Sequence, residues 1–262
     1  INLVLSHGVD IDIVDDYKHT PLHAAAMIGK TAVVELLVEN GSNVEARNEQ
    51  GRTPLNCACV EGLTDVARVL IEKGKADFSG QSDNGSHPLY LAAEKGHYDL
   101  AKYLLSKGAP VNLATQSLMT PLMVAVLFRH AKVVKLLLNS GAAVNIARED
   151  SRTILIIAVI EGDLEILKLL LDAGADVNQR GDNNLTPLFV ACHNYQKEVV
   201  RLLLSYPVNV NAVCDEGNTA LMGAVRHEDE ELVMMLLEAG ANPSSLVPIE
   251  QTVRTPLHLA AA

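Results

Sequence analysis

One seven-residue phrase returns eight times along the chain, and its spacing constrains the fold more than any other feature. The copies are TPLHAAA from Thr20, TPLNCAC from Thr53, HPLYLAA from His87, TPLMVAV from Thr120, TILIIAV from Thr153, TPLFVAC from Thr186, TALMGAV from Thr219 and TPLHLAA from Thr255. They lie 33, 34, 33, 33, 33, 33 and 36 residues apart. A second phrase runs in step, as in AVVELLVENGSNV and EILKLLLDAGADV. A fixed period of this length marks one supersecondary unit stacked on itself, because a single copy cannot cover its own apolar face.

Each copy reads as two helices and a loop. The leading Thr is placed to cap a helix by accepting from a backbone N–H, and Pro follows it in five of seven cases, where its missing N–H costs nothing. Gly29, Gly62, Gly96 and Gly162 are expected to end the first helix, and Gly41, Gly74, Gly108, Gly141, Gly174 and Gly240 the second, through left-handed backbone. The composition agrees: 48% of the 262 residues are hydrophobic but only 3% aromatic, which favours close-packed aliphatic helices over an aromatic-rich sandwich. The seven consecutive apolar residues Ile154 to Ile160 are too few for a membrane helix, which needs about 20. They are expected to be the first helix of the fifth copy, most of it covered because a middle repeat has a neighbour on each side.

The 33-residue period and the TPLH phrase resemble the ankyrin-repeat family over the whole chain. That resemblance implies an all-α repeat solenoid of stacked helix-turn-helix units with β-hairpin finger loops. It is expected to form a single domain over 1–262, with a partial repeat at 1–14, repeats at 15–47, 48–81, 82–114, 115–147, 148–180, 181–213 and 214–249, and a partial repeat at 250–262. Both ends fall mid-repeat, so the chain is expected to be a segment of a longer array. The resemblance also implies that Asn112, Asn145, Asn178 and Asn211 occupy places where the family can be hydroxylated.

Charge and motifs narrow the function. The net charge is −11, with no Lys/Arg cluster, which argues against a nucleic-acid partner. Four cysteines without framework spacing, and no visible leader, fit a reducing cytoplasmic or nuclear setting. No P-loop, dinucleotide fingerprint, HExxH or GxSxG is present, so the chain reads as a non-enzyme with no cofactor and no metal. Cys57 and Cys59 read as small core residues, and His23 and His258 as braces of the turn of their own or the adjacent repeat.

The resemblance places partner binding on a concave face made of finger tips and the last residues of each first helix. At the tips, eight acidic residues face three arginines, which favours a protein or peptide carrying basic residues. The residues expected to touch it are Tyr17, Met119, Arg152, Leu185 and Glu216 on the fingers, with Met27, Ile28, Leu127, Phe128, Ile160, Glu161, His193 and Arg226 at helix ends. Arg129 and Tyr195 join them, standing where other copies have Gly. Met119, Leu127 and Phe128 are expected to form one apolar cluster. The function expected is a protein–protein interaction scaffold; the alternatives are a regulatory or substrate-recruiting segment of a larger enzyme, ubiquitin ligase or channel, and a mechanical spacer. No membrane insertion is expected within the segment.

Overall fold

The computed structural model describes residues 3, 7–146, 153–226, 228–244, 247–249 and 252–254. Contacts divide the chain into two units, residues 1–142 and 143–262. The first unit contains α1 (Pro21–Met27), α2 (Thr31–Glu39), α3 (Pro54–Val60), α4 (Thr64–Glu72), α5 (Pro88–Glu94), α6 (Tyr98–Ser106), α7 (Pro121–Leu127) and α8 (Ala131–Asn139). The second contains α9 (Ile154–Glu161), α10 (Leu164–Asp172), α11 (Pro187–His193), α12 (Lys197–Leu204), α13 (Ala220–Arg226) and α14 (Glu230–Glu238).

The predicted caps form. The hydroxyls of Thr20, Thr53, Thr120, Thr153, Thr186 and Thr219 accept from the backbone N–H three residues on, at 3.2–3.4 Å. His87 does the same work with its ring: Nδ1 accepts from the Tyr90 N–H at 3.4 Å, while Nε2 donates to the Leu113 carbonyl at 2.9 Å. In each unit the short first helices pack in one row, α1 on α3 on α5 on α7 and α9 on α11 on α13, and the longer second helices in another. Leu22, Leu55, Leu89, Leu122, Leu155, Leu188 and Leu221, the third residue of each phrase, are 0–2% exposed. Removing such a side chain from water contributes about 1.5–3 kcal/mol.

Six of the seven residues of the apolar run Ile154 to Ile160 belong to that core. Ile154 through Val159 are all buried, whereas Ile160 is 50% exposed. Helix α9 therefore needs no polar face over its first six residues.

Fingers are mostly tight turns, closed in the first unit by pairs such as Asn48 N–H to Arg52 O at 3.0 Å and Thr115 N–H to Met119 O at 3.0 Å. The expected β-hairpin exists as strands, among the described residues, only where the three-residue insertion lengthens the loop: β1 (Val247–Ile249) pairs antiparallel with β2 (Thr252–Arg254). Successive tips are joined by single backbone bonds, Glu49 N–H to Tyr17 O, Asp83 N–H to Gln50 O and Gln116 N–H to Asn84 O. In the second unit an asparagine stitches each repeat to the next. Asn145 Nδ2 donates to Gly174 O and its Oδ1 accepts from Asp176 N–H; Asn178 bridges likewise to Pro207 and Asn209, and Asn211 to Gly240 and Asn242.

One glycine departs from expectation. Gly74 is not left-handed; Lys75, the inserted residue, takes that conformation at φ 59°. The extra residue is absorbed by moving the helix stop one place along.

Two buried imidazoles make the first unit acid-sensitive. His23 is fully buried, its Nε2 donating to Arg52 O at 2.9 Å and its Nδ1 accepting from Thr20 N–H at 3.2 Å. Burial lowers the pKa of both His23 and His87 below the ordinary 6.5. As pH falls through 6.5 the unfolded chain takes up protons that the folded state refuses, so stability falls. Thermal melts from pH 7.5 to 5 should show this decline, and His87→Thr, which keeps a cap, should make it shallower. An unchanged pH slope in that variant would contradict the assignment.

Candidate functional site

The residues singled out at helix ends divide sharply once placed. Met27 (40% exposed), Ile28 (67%), Leu127 (39%) and Phe128 (50%) all remain open at the ends of α1 and α7. The Phe128 ring lies 6.4 Å from that of His130, the planes within 20°. Met119 does not join them. It is buried at 7% exposure, because its finger folds back so that the Met119 N–H donates to Thr115 Oγ1 and its carbonyl accepts from the Thr115 N–H. The expected three-residue apolar cluster is thus a pair, Leu127 and Phe128. Tyr17 stands exposed on its finger, its ring 6.0 Å from that of His19.

In the second unit three expected residues come together. Ile160, Leu185 and His193 line one groove of about 540 Å³ with Ile156, Asp182, Phe189, Val190 and Asn194. Helices α9 and α11 supply most of its lining, and Asp182 and Leu185 add the finger between them. Phe189 and His193, four residues apart on α11, present rings within 7° of parallel, centroids 6.2 Å apart. Glu161 is half-buried at the end of α9, and Glu216 and Arg226 are exposed on the following finger and at the end of α13. Glu216 accepts from Asn218 Nδ2 at 3.1 Å. Arg152 lies outside the described residues, as does His258.

Asp182 at a finger tip and Asn194 beside His193 belong to the two classes of position expected to face a partner; the groove members outside those classes are Ile156, Phe189 and Val190. A signal for two of them was present: Ile156 and Phe189 stand at the fourth place of the phrase, where His23 braces a finger. Met234 is a second omission. It lines a smaller hollow with Val225, Glu228, Glu230 and Val233, at a place held by Glu35, Arg68, Lys102, Lys135, Lys168 and Arg201 in the preceding repeats.

Arg129, Tyr195 and Glu228 occupy the left-handed turn that Gly29, Gly62, Gly96 and Gly162 fill elsewhere, at φ 59°, 57° and 56°. The turn itself is regular despite the substitutions. A side chain there strains the backbone, and Arg129 and Tyr195 are both exposed, Tyr195 by 48%. Arg129→Gly and Tyr195→Gly should each raise stability by about 0.5–1 kcal/mol in denaturant unfolding. A loss of stability would show that the side chain repays its strain through contacts within the fold.

A model of ankyrin repeats in three copies matches residues 1–82, 75–148 and 155–247, and a second model of ankyrin repeats in many copies matches 132–171. The chain belongs to the ankyrin-repeat family. No curated protein compared with it matches. Ankyrin repeats generally mediate protein–protein interaction and are typically non-catalytic modules. The chemistry of this ankyrin chain's thiols is in keeping: all four cysteines are buried and free, and burial pushes Cys57 up to about 11 and Cys192 up to about 12, with Cys59 also raised. The thiols of Cys57, Cys59 and Cys192 remain protonated near neutral pH and are poor nucleophiles. Among the described residues no helix is long and apolar enough to cross a membrane.

Proposed function

We propose that this chain is a non-catalytic interaction scaffold that holds a peptide segment or a folded partner against its first-helix ends and finger tips. The observation that carries the reading is that large apolar side chains stay open at the ends of first helices. Ile28, Phe128 and Ile160, each half exposed or more, all sit at first-helix ends, where the repeat's own packing makes no demand on them. Exposed aromatic and aliphatic anchors beside a polar rim are what interfaces concentrate their affinity on. In the first unit Tyr17, Met27 and Leu127 add to these anchors, with Arg129 as a charged neighbour; in the second, Leu185, His193 and Tyr195 add to them, with Glu161, Glu216 and Arg226 as charged neighbours. Strain retained at Arg129 and Tyr195 supports the same reading, since a disfavoured backbone is kept where the side chain has a task. The buried free thiols support a reducing, intracellular setting.

Panning a displayed library of random dodecapeptides on the folded protein tests this. Selected peptides should protect the amides around Phe128 or around Ile160, Leu185 and His193 from hydrogen exchange. Phe128→Ala, or Ile160→Ala for a groove binder, should weaken binding by about 1–3 kcal/mol without unfolding the protein. Peptides that bind only elsewhere, or affinities that ignore both substitutions, would refute the proposal.

A further inference from the structure

The groove on α9 and α11 has one feature that an apolar anchor site does not need, a carboxylate in its wall. Asp182 is exposed at the finger turn, and no cation among the described residues pairs with it. Its main-chain carbonyl accepts from the Leu185 N–H at 3.0 Å, so the turn is held by backbone and the carboxylate is left over. Asp215 on the next finger differs, because it accepts a hydrogen bond from Asn184 Nδ2. The same groove is lined by the two parallel rings of Phe189 and His193 and by the aliphatic side chains of Ile160, Leu185 and Val190. The chain as a whole carries a charge of −11, which draws basic partners to the surface before contact.

We propose that this groove takes an arginine side chain of the peptide partner. The inference rests on the scaffold reading and names the group that the groove selects. A guanidinium is planar, weakly hydrated and always charged, so it can lie flat against aromatic rings while its N–H fork meets a carboxylate; an ammonium is compact, strongly hydrated and has no flat face to stack. The three-carbon stem of arginine suits the aliphatic lining. A purely apolar anchor would leave the Asp182 carboxylate next to a dry contact with nothing to offset its lost hydration.

The same dodecapeptide library supplies the probes. Groove-binding peptides should share one arginine, and synthetic versions with lysine or with neutral citrulline at that position should bind about fivefold more weakly. Asp182→Asn should weaken the arginine peptide by a similar factor while leaving the citrulline peptide unchanged. Because the turn is closed by main-chain atoms, this variant should melt with the parent protein. Peptides that protect Ile160, Leu185 and His193 yet tolerate citrulline or Asp182→Asn would overturn the arginine assignment and leave the scaffold intact. Failure of any peptide to protect the groove, with binding confined to Phe128, would overturn the assignment by a different route. Failure to bind at either surface would overturn the scaffold reading itself.

Discussion

Leu155→Ala is expected to lower the unfolding free energy of the second unit by about 2–5 kcal/mol, read from the midpoint of denaturant unfolding. Leu155 is 1% exposed in the first row of helices, between the α11 contact on one side and its own partner helix α10 on another. Truncation forfeits the transfer free energy of the deleted carbons, and a close-packed row of short helices has little freedom to collapse into the void. Ile160→Ala, five residues on in the same helix, removes a half-exposed side chain and should cost far less. Equal losses for the two variants would mean that the apolar run Ile154 to Ile160 is covered along its whole length, and that the groove is not open.

Gly96→Ala is the second large effect, about 2–3 kcal/mol, and it has two separable causes. Gly96 has φ +74°, where a Cβ strains the backbone. A Cβ there would also stand 2.6 Å from Nδ1 of His130, whose Nε2 donates to the Glu94 carbonyl at 2.9 Å and so satisfies a helix end. The ring cannot retreat without releasing that bond. In a His130→Ala background only the backbone part remains, so Gly96→Ala should be cheaper there; strictly additive losses in the double-mutant cycle would rule out the clash. Gly62 and His97 repeat the arrangement one repeat earlier, with His97 Nε2 on Val60 O at 2.9 Å.

Much of this architecture is legible in the residues. The period, the caps and the helix stops follow from local chemistry that every copy must satisfy: a hydroxyl or imidazole at the start, a left-handed residue at the stop and a leucine inward. The insertion at Lys75 was legible as a longer loop, but not that the left-handed residue would move onto Lys75 itself, since that depends on how many carbonyls the end of α4 still has to satisfy. Helix-end positions were legible because the repeat leaves them unused, and Ile160, Leu185 and His193 do converge. Met119 was not, because its class, a tip residue before the capping Thr, says nothing about whether the finger folds the side chain inward. Phe189 and Ile156 stand where other copies carry a bracing imidazole, which by itself reads as a drier contact between repeats. The same loss of a bracing imidazole that dries the contact also opens a groove wall, and only the coordinates distinguish the two.

The asparagine stitches of the second unit reach one repeat onward and no further. Under tension applied to that unit, load at an outer repeat is therefore handed to its immediate neighbour, through the asparagine bridge, the finger bond of Asp215 N–H to Asn183 O, the Lys197 and Arg201 pairs with Glu231 and the two rows of helix contacts. The repeats that start at Thr153 and Thr186 each release 33 residues, about 110–120 Å of contour, and the one at Thr219 releases 36, about 120–130 Å, so extension would proceed in near-equal steps whose size is written into the sequence period.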